Sequence, residues 1–119
     1  MENIEETLKD ILTLNGAIAA SIVDWSSGMV LGTEVNKEFD IELASAGNSE
    51  MVKAEMATIK SLGANNEIQD ILITLNDQLH IIYIIESNPD LFIYIALDEN
   101  ANLALARNKA KNAAKTLII

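Results

Sequence analysis

The sequence predicts an α+β fold: a five-stranded antiparallel sheet with helices on both faces, a three-layer sandwich in the order α-β-β-α-β-β-β-α. Three observations carry this expectation. Apolar residues recur at helical spacing at both ends of the chain and in its middle. The runs between them are strand-like and joined by short turns, and hairpins make a sheet antiparallel. The last two strands are apolar on both faces, so helices must cover both.

Taken in order, Ile4, Leu8, Ile11 and Leu12 define an amphipathic helix over 3–14, stopped by Asn15-Gly16. Residues 17–23 read as a strand with Ile18, Ala20 and Ile22 on one face. Its other face (Ala17, Ala19, Ser21, Val23) is rich in small residues, which lets a covering helix approach closely. Asp24 to Gly28 is a turn, and Met29 to Val35 is the returning strand. A long helix follows over 40–62, with Asp40 as its cap and Gly63 as its stop. At 100° per residue, Ile41, Ala44, Met51, Val52, Met56, Ile59 and Leu62 share one stripe, which also contains Asn48 and Glu55. Three strands come next, at 68–75, 79–85 and 91–97, separated by Asn76-Asp77-Gln78 and Ser87-Asn88-Pro89-Asp90. A final helix over 102–119, capped by Asn100 or Asn102, buries Leu103, Ala106, Ala110, Ala113, Ala114 and Leu117.

Composition excludes several function classes. The chain has 119 residues, suited to one domain spanning 1–119, since two cores of half that length would each be marginal. It carries eighteen acids against eight bases, a net charge of −10, which argues against a general nucleic-acid or anionic-membrane partner. That charge is polarised: residues 1–99 carry −14 and the last helix +4. The absence of cysteine removes disulfides and thiolate chemistry. The acidic start is unlike a signal peptide, and the densest apolar run, 79–85, is far shorter than the ~20 residues of a membrane helix. A cytoplasmic protein without membrane insertion is expected.

No catalytic constellation stands out. His80 is the lone histidine, inside an apolar strand, and reads as a packing or hydrogen-bonding residue. No Gly-x-Ser-x-Gly elbow, calcium loop or phosphate-binding glycine loop is present, and no cofactor or metal is expected. Gly28, Gly32 and Gly63 read as structural. Arg107 is the only arginine, hence the only available arginine finger, but covering the sheet edge with its stem suits its position better. Trp25, at a hairpin tip, is either an exposed anchor for a partner or folded back over the adjacent helix.

The long helix is the best-motivated site. Its second face collects Leu43, Ala46, Gly47, Ala54 and Ala57 beside Glu50 and Ser61, so two packing partners are expected for it. Asn48 and Glu55 either make polar contacts in such an interface or stand in water. Strand 68–75 reads as a sheet edge on which Asp70 guards against promiscuous pairing.

This order of elements resembles the roadblock/dynein light chain family. The segments that carry it are Asn15 to Asp24, Ser27-Gly28-Met29-Val30-Leu31, Leu91 to Asp98, and the helix opening Asn102-Leu103-Ala104-Leu105-Ala106-Arg107. The bacterial single-domain, gliding-regulator-like members are the nearer comparison. The resemblance implies a homodimer in which the long helices lie together and two sheets join. It thereby implies an interface containing Leu43, Ala46, Gly47, Glu50, Ala54, Glu55, Ala57, Ile68, Asp70 and Leu72. It also implies a non-enzymatic module that binds a small Ras-like GTPase and modulates its nucleotide cycle or localisation. The alternative is a structural adaptor, light-chain-like, with no nucleotide-dependent partner. A third class, a ligand-sensing domain, would require an enclosed pocket.

Overall fold

The computed structural model describes residues 2–63 and 65–119. Among the described residues the elements run α1 (Ile4–Ile11), β1 (Ala17–Asp24), β2 (Met29–Val35), α2 (Ile41–Ser61), β3 (Asp70–Thr74), β4 (Gln78–Ile84), β5 (Leu91–Asp98) and α3 (Leu103–Thr116). The expected α-β-β-α-β-β-β-α order and five-stranded antiparallel sheet are therefore present, with every strand pair antiparallel. Strand order is β2-β1-β5-β4-β3. β5 thus sits at the centre, paired with both β1 and β4, and the two hairpins flank it.

The sheet has two covered faces, and parity along β5 separates them. Leu91, Ile93, Ile95 and Leu97 join Leu8 and Ile11 of α1 and Ala106, Ala110, Ala113 and Ala114 of α3 in one core. Phe92, Tyr94 and Ala96 join Ile41 and Val52 of α2 in the other. The alanine stripe lets α3 lie close to the large Ile and Leu side chains of the sheet. At ~25 cal/mol per Å² of apolar surface removed from water, such double coverage is what holds a chain of this size together.

The caps follow the sequence. Asp40 accepts a hydrogen bond from the Leu43 amide at 3.1 Å, and Asn102 accepts one from the Leu105 amide at 3.0 Å. Asn100 is therefore not the cap of α3. Asn3 does not cap α1 with its side chain; it ties the two ends of the chain together. Its Oδ1 accepts from the Ile118 amide at 2.6 Å and its Nδ2 donates to the Thr116 carbonyl at 2.9 Å. Gly32 on β2 has a steric role: a Cβ there would lie 2.5 Å from Ile4 Cγ2, so α1 seats on β2 only over glycine.

Several expectations need correction. β1 carries an irregularity between Ala17 and Ala19, where Ala17 pairs with Leu97 but Ala19 with Ala96. The extra residue turns Ile18 to the α2 side with Ala19, while Ala17 joins Ala20 and Ile22 on the α1/α3 side. The helices are shorter than the apolar periodicity suggests, because α1 ends at Ile11 and α3 at Thr116, leaving Ile118 and Ile119 exposed. Leu62, placed in the buried stripe of the long helix, is 71% exposed at its C-cap. β3 is Asp70–Thr74 rather than 68–75.

Candidate functional site

α2 has an unusual inner face. Its most buried residues are Ile41, Ser45, Ser49 and Val52, and two of these four are polar. The serines are tolerated because each donates to a carbonyl one turn back: Ser45 to Ile41 at 2.6 Å and Ser49 to Ser45 at 3.0 Å. With its proton given to Ile41, Ser45 Oγ accepts from Ser21 Oγ of β1 at 2.8 Å. Beside this contact, the Tyr94 hydroxyl meets His80 Nδ1 at 3.2 Å, and His80 Nε2 meets Gln78 Oε1 at 2.9 Å. Phe39 stacks edge-on against His80, with centroids 6.1 Å apart. His80 is thus the packing and hydrogen-bonding residue its strand position suggested. Burial lowers its pKa. Burial also pushes the Tyr94 phenol up to about 12. Asn48 is half-buried, while Glu55 is exposed.

Among the described residues, the outer face of α2 has no packing partner. Leu43 is 71% exposed, and Ala46, Gly47, Glu50, Ala54, Glu55 and Ala57 are exposed too. A Cβ added at Gly47 would meet nothing within 4 Å. The exposed face is small and largely uncharged, with Glu50 held loosely by Lys53 at 3.5 Å.

The two sheet edges differ. β2 is interrupted between Val30 and Gly32, where pairing with β1 shifts register, and α1 seats over it. β3 is regular along its whole length. Gln69 accepts from the Ile84 amide and the Leu75 amide donates to Gln78, so the alternation of an antiparallel ladder turns the amides and carbonyls of Asp70, Leu72 and Thr74 outward. Among the described residues β4 is the only neighbour of β3 in the sheet, so these outward groups have no strand beside them. Leu72 is 37% exposed on this edge, and Ile68, just before it, is half-buried.

Asp70 is not a bare guarding charge. Arg107 of α3 grips it in a fork: Nε donates to Oδ2 at 3.0 Å, while Nη2 donates to Oδ1 at 3.0 Å and Oδ2 at 2.8 Å. The pair neutralises the edge charge and engages the one arginine. Trp25 folds back: it is half-buried against the core on the α2 side, and its Nε1 donates to the Pro89 carbonyl of the β4–β5 turn at 2.8 Å.

An open groove of about 1000 Å³ connects these elements. Met56 and Ile59 of α2, Ile68 before β3, Asp70 at its start, and Arg107 of α3 all line it. The C-terminal half of α2 and the open edge therefore border one concavity, exposed to solvent and not enclosed. Among the described residues, no group of three or more His, Asp or Glu side chains stands together as a metal site, and no helix is long and apolar enough to cross a membrane. The sequence reading missed Ser45, Ser49 and the Asp70–Arg107 fork. A Ser-x-x-x-Ser spacing at one turn was the available signal for the serines; nothing local signals a pair 37 residues apart.

No protein-family model and no curated protein matches the sequence. Solved structures do match its shape, and they define the class: the chain has the Roadblock/LC7 fold. A Roadblock/LC7 domain from Streptomyces avermitilis superposes with a TM-score of 0.83 at 10% identity, covering 96% of this chain and 93% of that one. MglB of Myxococcus xanthus superposes with a TM-score of 0.81 at 18% identity, over 94% and 89% of the two chains. MglB in a tetrameric arrangement gives 0.81 at 21% identity, over 96% and 84%.

Proposed function

We propose that this chain is a non-enzymatic, homodimeric, cytoplasmic module that binds a small Ras-like GTPase and modulates its nucleotide cycle or localisation. One observation carries the reading: within a Roadblock/LC7 fold, the outer face of α2 is open, and the C-terminal half of the same helix borders one groove with the regular sheet edge β3. A second copy related by a two-fold axis satisfies both features at once. Pairing two β3 strands about Leu72 sets Leu72 against its own copy and Asp70 against Thr74, so no acid faces an acid. The small residues Ala46, Gly47, Ala54 and Ala57 let two α2 helices approach, with Leu43, Glu50 and Glu55 at the margins and Ile68 beside the seam. The MglB likeness in a tetrameric arrangement supports self-association. The resemblance noted in the sequence supports the GTPase partner.

Arg107 is bound into the Asp70 fork, which favours regulation by positioning the GTPase's own residues over donation of a finger. Two measurements test the reading. Light scattering of Ala54→Arg is expected to show half the parent mass; a monomeric parent overturns the dimer. Pull-down of Ras-like GTPases loaded with GDP or a GTP analogue is expected to show nucleotide preference. Retention without preference would instead favour a structural adaptor.

A further inference from the structure

A second groove, of about 410 Å³, lies on the face of the sheet opposite α2, between the end of β4 and α3. Tyr83, Glu86, Ser87, Lys111, Ala114 and Lys115 line it. Three of these, Tyr83, Glu86 and Lys111, also line the larger groove, so the cleft continues along α3 to Arg107. None of the six residues belongs to α2 or β3, so the cleft adjoins the groove of the dimer reading without using its α2 or β3 residues.

Its charge sets it apart. Lys111 and Lys115 stand one helical turn apart and exposed, and among the described residues neither is in an ion pair. Their neighbours on α3 are committed: Lys109 to Asp10 at 3.1 Å and Arg107 to Asp70 at 2.8 Å. The six lining residues carry two cations (Lys111, Lys115) and one acid (Glu86), whereas the rest of the chain holds six cations and seventeen acids. With a net charge of −10 the chain as a whole repels an acidic partner, and the unpaired lysines of this cleft favour its approach here. Tyr83 forms a half-buried aromatic floor, and tyrosine in a concave, partly desolvated site is a preferred anchor for a partner's side chain. A bilayer or a nucleic-acid backbone is a poorer fit, because its extended negative surface would also press against the surrounding acids.

We propose that the α3–β4 cleft docks an acidic helical segment of a partner protein, with carboxylates one turn apart set against Lys111 and Lys115 and an apolar side chain seated on Tyr83.

The experiment titrates isotope-labelled protein with a helical peptide that carries Glu at every fourth position beside Leu, and repeats it with Gln in place of Glu. Saturable amide shifts centred on Tyr83, Glu86, Ser87, Lys111 and Lys115 are expected for the Glu peptide. Affinity is expected to fall about tenfold for the Gln peptide and for the K111E/K115E double variant. Both lysines are exposed, so the variant is expected to melt like the parent and to keep its mass in solution, while A54R changes mass without changing peptide affinity. Equal binding of the Glu and Gln peptides, shifts centred on α2, no shifts at all, or association with phosphatidylserine vesicles in place of the peptide would each overturn the proposal.

Discussion

The two faces of the sheet are built differently. The α1/α3 face is closed by Leu8, Ile11 and the alanine stripe of α3 over Ile22, Ile81, Ile93 and Ile95, with Thr7 the one buried polar residue of these two helices among the described residues. The α2 face mixes Val23, Val52 and Phe92 with Ser21, Ser45, Ser49, Tyr94 and His80, and every buried side-chain polar atom among the described residues has a partner. An apolar face is stabilised in proportion to area and tolerates small displacements. A hydrogen-bonded face specifies one position, since each unpaired buried group costs about 1–3 kcal/mol. The difference teaches that α1 and α3 supply bulk stability, while α2 is held in register. A helix that must present its outer face to a partner needs that register more than it needs bulk.

The largest expected effect breaks the apolar face. Ile93 is fully buried there, and Ile93→Ala should cost about 2–5 kcal/mol in urea unfolding, with the lower value if the helices settle into the cavity. A loss well under 1 kcal/mol would mean that this face is not the stabilising one.

A smaller effect sharpens the polar face. Ser45→Ala leaves Ser21 Oγ buried without its partner and should cost about 1–3 kcal/mol. The S21A/S45A pair should cost less than the sum of the single changes, because neither hydroxyl is then stranded. Strict additivity in that cycle would remove the register argument.

The smallest effect concerns pH, and both limits fall on the α2 face. His80 has a lowered pKa in the fold, so the unfolded chain binds its proton more readily. The stability that neutral His80 contributes is present above its ordinary value near 6.5 and is lost as pH falls through the lower folded value. Tyr94 is displaced upward to about 12, so the unfolded chain ionises first. Its contribution is intact below pH 10 and is lost between there and about 12. Melting temperature followed against pH should flatten on the acid side in His80→Gln and on the alkaline side in Tyr94→Phe, while Ile93→Ala shifts the whole curve down.

Much of the architecture was legible because it is written locally. Leu91 to Leu97 is apolar at both parities, which demands two covering layers. Asp40, Asn102 and Gly63 mark helix ends by chemistry confined to one turn. The outer face of α2 was legible for the same reason, since exposure of a small-residue stripe follows from helical angle alone. The register of β1 was not. Its run of Ala, Ile, Ala, Ala, Ser, Ile and Val is buried on both sides, so alternation could not reveal the extra residue that turned Ile18 over. The buried serines were hidden because their hydroxyls are satisfied by the helix's own carbonyls, which no hydropathy pattern registers.

The sequence by itself determined the element types, their order, the two-faced sheet, the Asp40 cap and the uneven charge, because each depends on residues within a few positions of one another. Only the tertiary structure decided that β5 lies at the centre, that Asp70 is gripped by Arg107, that His80 and Tyr94 meet beneath α2, and that Lys111 and Lys115 border a cleft. Those outcomes join residues far apart in the chain. They are settled by which apolar surfaces can be buried together and which polar groups must then find partners, a competition visible only once the whole chain has packed.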